Sequence, residues 1–280
     1  MLDFEQENII ICEDTQEGVF TGIYRAYEWK MKPEQTILQT GEYNDLRLFA
    51  GYRTVDTDPE CAEKVMRTIR RRFGLECCEQ ICSALASEAE DKGQAVYQTI
   101  AEGLNGKIKG KLMNYLGNPY VRRTFELSRT VGNETHHLLG FTRFEETENG
   151  ILFAEIHPKN RVLPFLMPHF ADRFPGENFV IRDRSRNLYG IHQAHREWFL
   201  AKIENGPEKS RLKFTEEERR IQELFRYFTQ KIMIEERENR NLQRQMLPLR
   251  FRPDMTEFAQ KIQTDNSMMD RGCSDRYVDI

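Results

Sequence analysis

The apolar positions of this chain fall at two periods. Ile9, Ile10, Ile11 and Cys12 form a short continuous run, which predicts a buried strand. Val19, Phe20, Ile23, Tyr24 and Tyr27 then make one stripe of a helix. Residues 46–55, rich in Leu, Phe, Tyr and Val, predict a second strand. Asp58-Pro59 opens the next helix, with Asp as N-cap and Pro at the first helical position, where its missing N–H costs nothing. Cys61, Ala62, Val65, Met66, Ile69 and Phe73 give that helix its buried face, and Gly74 ends it. Helical patterns follow over 76–88, 92–104 and, after the N-cap pair Asn118-Pro119, 119–131.

Residues 138–192 are the most densely patterned stretch. Apolar runs at 138–145 and 151–157 flank Asn149-Gly150, a dipeptide suited to the positive φ of a tight hairpin turn. Over 162–174, Leu163, Leu166, Met167, Phe170 and Phe174 lie on one helical stripe, with Pro164 and Pro168 limiting regularity. Strands at 179–182 and 188–192 enclose a polar turn, so the stretch reads hairpin, helix, hairpin. Residues 194–203, with Trp198 and Phe199, predict a helix broken by Asn205-Gly206-Pro207. Thr215-Glu216-Glu217-Glu218 is a capping box. It opens an amphipathic helix with Ile221, Leu224, Phe225, Phe228 and Ile232 on one side. The expected class is α+β: a mostly helical N-terminal half packed with a small antiparallel sheet and a C-terminal helix. Residues 1–258 are expected to form one globular unit, softly divided into a mainly helical 1–130 and a mixed 131–258. Residues 259–280 are expected to be a loose tail.

Composition narrows the function classes only a little. The 280 residues are 39% hydrophobic and 31% charged with a net charge of −4, so no global field points to nucleic acid. The charge is patchy, however: Arg67, Arg70, Arg71 and Arg72; Lys107, Lys109 and Lys111; Arg182, Arg184 and Arg186; Arg237, Arg240 and Arg244. Local patches of this kind bind phosphate regardless of net charge, although any one of them also fits a solvated helix or turn face. Neither a secretory leader nor an apolar run of membrane length is visible. The expectation is a cytoplasmic protein with reduced thiols and no membrane contact. Cys77, Cys78 and Cys82 sit in a helical pattern, and no C-x-x-C or CxxxCxxC spacing occurs, so buried helix cysteines are expected rather than metal ligands. No cofactor is expected. The Gly- and Lys-rich run 103–111 lacks the Ser/Thr and spacing of a Walker loop and does not match the dinucleotide fingerprint.

The candidate chemistry gathers in the central stretch. His169 and Arg173 are four apart and point the same way on a helix, while Glu155 alternates with Phe153 and His157 on the preceding strand. A strand Glu155, His169 and Arg173 meeting over one hollow suits acid–base work beside a phosphate, with His136 a further candidate. The plainer alternative is a half-buried histidine bonded to a carbonyl, with arginine at the surface. His136 and His137, read as strand residues, face opposite ways. Arg237, Arg240 and Arg244 align on a helix, and Arg250 and Arg252 interleave with Phe251, a composition suited to phosphate contacts and base stacking. The same arginines equally suit ion pairs with the Glu-rich run at 235–238.

Three segments carry a family resemblance: HLLGFTRF, GILFAEIHPKNRVLPFLMPHFADRFP and RNLQRQMLPLRFRPDMTEF. They resemble an uncharacterised bacterial family assigned to DNA metabolism or repair, which contains a domain of unknown function. The likeness covers most of the first 258 residues, and the opening strand and helix over 4–29 fit it too. Genes of this family tend to neighbour a radical-SAM DNA modification or repair protein, and some members are fused to a uracil-DNA-glycosylase-like domain. The resemblance therefore implies a DNA context and a radical-SAM partner, and supplies no catalytic residues. Two functions follow as expectations. The first is a DNA-binding repair or modification component, with Arg122, Arg123, Lys159, Asn160, Arg182, Arg240, Arg244 and Arg250 on nucleic acid. The second is a nucleic-acid lyase, glycosylase or hydrolase using His169, Glu155, Arg173 and His136. A third alternative is an assembly module that does not touch DNA.

Overall fold

The computed structural model describes residues 7–41, 47–106, 108, 110–204, 206–234, 237 and 239–258. Phe4, Leu46, Lys107, Lys109, Asn205, most of the Glu-rich run at 235–238 and the expected tail at 259–280 lie outside the described residues. The chain divides into two compact units: Met1–Glu134 with Lys159–Arg161, and Thr135–Pro158 with Val162–Ile280.

The first unit contains a three-stranded parallel sheet. Its strands are β1 (Asn8–Cys12), β2 (Thr36–Thr40) and β3 (Gly51–Val55), in the order β2-β1-β3. The central strand is the Ile-rich run, as the burial of a parallel sheet requires: Ile9, Ile10 and Cys12 are all buried. Helices α1 (Gln16–Glu28), α2 (Pro59–Phe73), α3 (Leu75–Leu85) and α4 (Lys92–Leu104) supply the rest of one core. Its members include Phe20, Ile23, Leu38, Ile69, Ile81, Val96 and Ile100. Asp58 caps α2 as the sequence predicts, its carboxylate accepting the Glu60 and Cys61 N–H groups at 3.0 and 3.3 Å.

Helix α5 (Pro119–Phe141) differs from expectation. Asn118 opens it, accepting from Tyr120 N and Val121 N, but it continues ten residues past 131, so His136 and His137 are helical and not strand residues. Val131, Glu134 and Leu138 are its buried row at i, i+3 and i+7. A carboxylate in that row, and Gly132 and Asn133 beside it, hide the helical period.

The second unit is built on a five-stranded sheet: β4 (Glu145–Glu146), β5 (Leu152–Ile156), β6 (Phe179–Asp183), β7 (Leu188–His192) and β8 (Phe199–Lys202), in sequence order. The second expected hairpin exists as β6–β7, but the first is cut to the two-residue β4 against β5, because 138–141 of its expected first strand belong to α5; Gly150 takes the positive φ of the intervening turn. The sheet is mixed rather than antiparallel, because β5 and β6 are joined by the crossover helix α6 (Leu163–Arg173) and run parallel. The α+β class stands. Residues 199–202 form an edge strand instead of part of a helix; Phe199, Leu200 and Lys202 are exposed, so no alternation marked it. Leu163, Leu166, Met167 and Phe170 bury the predicted stripe of α6. Phe144 packs edge-on against Phe170, Phe174 and Phe179 at 5.1, 5.7 and 5.6 Å between ring centres. Helices α7 (Glu216–Lys231) and α8 (Arg240–Met246), then a 3-10 segment over Leu249–Asp254, complete the unit. Among the described residues no helix is long and apolar enough to cross a membrane.

Candidate functional site

The predicted acid–base residues do not meet over one hollow. Glu155 lies in β5 directly opposite Arg182 of β6, and the two form an ion pair at 2.8 Å with side chains only 9% and 7% exposed. Arg182 also donates to Asn187 Oδ1 at 3.0 Å and lies 3.5 Å from Glu208, while Arg184 approaches Glu155 at 3.8 Å. A carboxylate bound this way is committed to its arginines. His169 and Arg173 are exposed on α6, resting against Phe170 and Phe174. His136 is exposed on α5. His192 takes the plainer role of a histidine, its Nδ1–H donating to the Glu177 carbonyl at 2.9 Å.

The structure pairs a different histidine. His157, just past the carboxyl end of β5, places Nδ1 2.8 Å from both oxygens of Asp254. That hydrogen bond, and secondarily the negative charge of Asp254, hold the imidazolium form to higher pH than usual; burial and Arg184 oppose them. Arg184 N–H donates to the Ile156 carbonyl, so it stands beside His157. Asp183, at the end of β6, is fully buried, and burial pushes its carboxyl up despite Arg186 at 2.9 Å. The signal for this site was split between two of the segments that carry the resemblance, His157 in one and Asp254 in another. Apart from Lys159–Arg161, all three segments lie in the second unit, where they touch. Phe251 packs against His137 and Phe141 at 5.9 and 5.5 Å, and Arg143 pairs with Glu257 at 2.8 Å.

The expected nucleic-acid residues separate into tied and exposed groups. In the first unit Glu134, 2% exposed, accepts Lys159 N–H, Asn160 N–H and the Asn160 amide at 2.9, 2.9 and 2.6 Å. Asn160 in turn accepts the Glu88 N–H at 3.2 Å. Arg161 binds the Asp14 carbonyl and, at 2.6 Å, its carboxylate; the other Asp14 oxygen meets buried Lys92 at 2.7 Å. Sequence reasoning missed Asp14, Lys92 and Arg161, since a lone Asp after a strand and a lone Lys opening a helix carry no pattern. Arg123 forms a two-pronged pair with Asp91 at 2.7 and 2.9 Å. Arg182 is internal, as described. Arg122, the Lys159 side chain, Arg240, Arg244 and Arg250 are exposed.

The exposed arginines of the C-terminal segment border a groove of about 1060 Å³. Arg237, Arg240, Arg244 and Arg252 line it together with apolar side chains that include Leu242, Met246 and Phe258. No carboxylate lines it among the described residues. Arg237, Arg244 and Arg252 form no ion pair among the described residues, and Arg252 lies over the Phe258 ring at 5.0 Å. Among the described residues no three His, Cys, Asp or Glu side chains gather as a metal site.

Residues 90–257, more than half of the chain, match the model of a domain of unknown function, DUF4130. The chain belongs to that family. DUF4130 thus takes in the His157–Asp254 pair, the whole five-stranded sheet and all of the groove's lining but Phe258. No protein with a curated description matches. A solved chain titled as the DHH domain of a member of a family of ribosomal proteins aligns at a TM-score of 0.30 and 11% identity, over 68% of this chain and 74% of that one. A likeness that low carries no argument.

Proposed function

We propose that this DUF4130 protein binds nucleic acid through the arginine-lined groove of its second unit, as a component of a DNA repair or modification system that acts with a radical-SAM partner. One observation carries the reading: four arginines and an aromatic–apolar lining share one groove. Guanidinium groups hold phosphates, and apolar and aromatic side chains take base faces. The DNA context and the radical-SAM partner rest on the family resemblance of the three segments. The test is binding of labelled single-stranded and duplex DNA over a salt series. Affinity should fall steeply with salt, and Arg244→Ala with Arg252→Ala should weaken binding and flatten the slope by about one or two phosphate contacts. Binding that ignores salt, or survives the double substitution unchanged, would remove the groove from consideration.

A second reading, a nucleic-acid enzyme, draws on the His157–Asp254 pair. A histidine oriented through Nδ1 by a carboxylate, with Nε2 making no hydrogen bond among the described residues, has the arrangement of a general acid or base. Loss of a DNA-cleaving or base-releasing activity in His157→Gln, with DNA binding retained, would favour it over the binding component.

A further inference from the structure

Helix α7 sits on its own unit the wrong way round for an amphipathic helix. Its half-buried residues are Glu218, Gln222, Arg226 and Thr229, the polar flank. Glu218 accepts the Glu146 N–H at 3.2 Å and the Gln222 amide at 2.8 Å. The apolar stripe of Ile221, Leu224, Phe225, Phe228 and Ile232 faces outward, each residue between 37% and 65% exposed. A continuous apolar row of this size on a water-facing helix marks an interaction surface.

We infer that the stripe is the interface for a second copy of this chain, packed antiparallel along α7. The stripe is self-complementary. With the twofold axis passing between Leu224 and Phe225, Ile221 of one copy comes level with Phe228 of the other, and Leu224 with Phe225. Charge selects the direction. Glu216, Glu217 and Glu218 fill the first turn, and Lys231 closes the last. At 100° per residue, Glu217 and Lys231 lie on the same flank of the stripe, and like flanks face each other in an antiparallel pair. Glu217 of each copy therefore meets Lys231 of the other at both ends of the interface. A parallel pair would set the two acidic turns against each other. The inference does not rest on nucleic-acid binding: Ile232 at the end of the stripe also lines the groove, but Leu224 and Phe228 do not.

The experiment is sedimentation or light scattering of the full chain from low to high micromolar concentration. The expected result is a dimer. Leu224→Glu and Phe228→Glu should give monomers with unchanged far-UV circular dichroism and unchanged DNA affinity. Lys231→Glu alone and Glu217→Lys alone should each weaken self-association about tenfold, and the double variant Glu217→Lys/Lys231→Glu should restore it. A monomer at high micromolar concentration overturns the inference. So does a dimer indifferent to Leu224→Glu, or a double reversal no better than the singles. A monomer that dimerises only when residues 259–280 are removed shows that the chain's own C-terminal segment covers the stripe, and also overturns it.

Discussion

His157 and Asp254 stand 97 positions apart in sequence, and a single ring nitrogen of the first lies 2.8 Å from both oxygens of the second. The contact ties the 3-10 segment that ends at Asp254 to the strand that ends beside His157. Stability should therefore follow pH with a definite sign. The folded-state pKa of His157 is raised, chiefly by the hydrogen bond to Asp254, above its ordinary value of 6.5. The stabilisation is fully present below that ordinary value and is lost as pH rises through the folded-state pKa. Thermal melts from mildly acidic to mildly alkaline pH should show a fall in Tm that His157→Gln flattens. Coincident wild-type and variant curves would refute the assignment.

Glu134 offers a sharper test. Its buried carboxylate satisfies three donors from Lys159 and Asn160, so Glu134→Ala removes the acceptor that these three bonds share. The cost should be on the order of 3 kcal/mol. Glu134→Gln should recover little, because its amide nitrogen would face an N–H donor. Urea unfolding measures the loss, and hydrogen exchange at the amides of 159 and 160 localises it.

Asp14 and Lys92 should respond unequally. Asp14→Asn leaves a buried ammonium with only the Ser87 carbonyl, 2.6 Å away, which should cost about 3 kcal/mol. Lys92→Met leaves Asp14 still paired with Arg161, so the loss should be nearer about 1 kcal/mol. Equal losses in denaturant unfolding would show that the pair does not act as drawn.

Glu155, His169 and Arg173 are separable by the same measurement. Glu155→Ala leaves the buried Arg182 guanidinium with only Asn187 and the more distant Glu208, and should cost about 3 kcal/mol. His169→Ala and Arg173→Ala, both on the exposed side of α6, should stay within about 0.5 kcal/mol of the parent.

The contrast among these residues shows what the sequence could reveal. Caps were readable because they are local: Asp58 and Asn118 each bond to amides two and three positions ahead. The stripe of α6 was readable because one face alone is buried. The extension of α5 was not, since Glu134 occupies a core position that only Asn160 and Lys159, distant in sequence, make tolerable. Glu155 was recognised as a strand carboxylate, but its cross-strand register against Arg182 depends on the parallel crossover, which no local signal specifies. His157 looked ordinary because its carboxylate lies in a segment nearly a hundred positions away.

Three residues, Lys159–Arg161, belong to the first unit although the chain on either side of them belongs to the second. The polypeptide must therefore cross the divide three times. A gene cut after Glu134 would strand that carboxylate without its donors and strip Asp14 of its guanidinium. A fragment trimmed to the matched span of 90–257 would carry Asn160 and Arg161 with nothing from the β1 end to receive Arg161. Either cut separates residues 159–161 from partners in the first unit, so each fragment should be less stable than the whole chain.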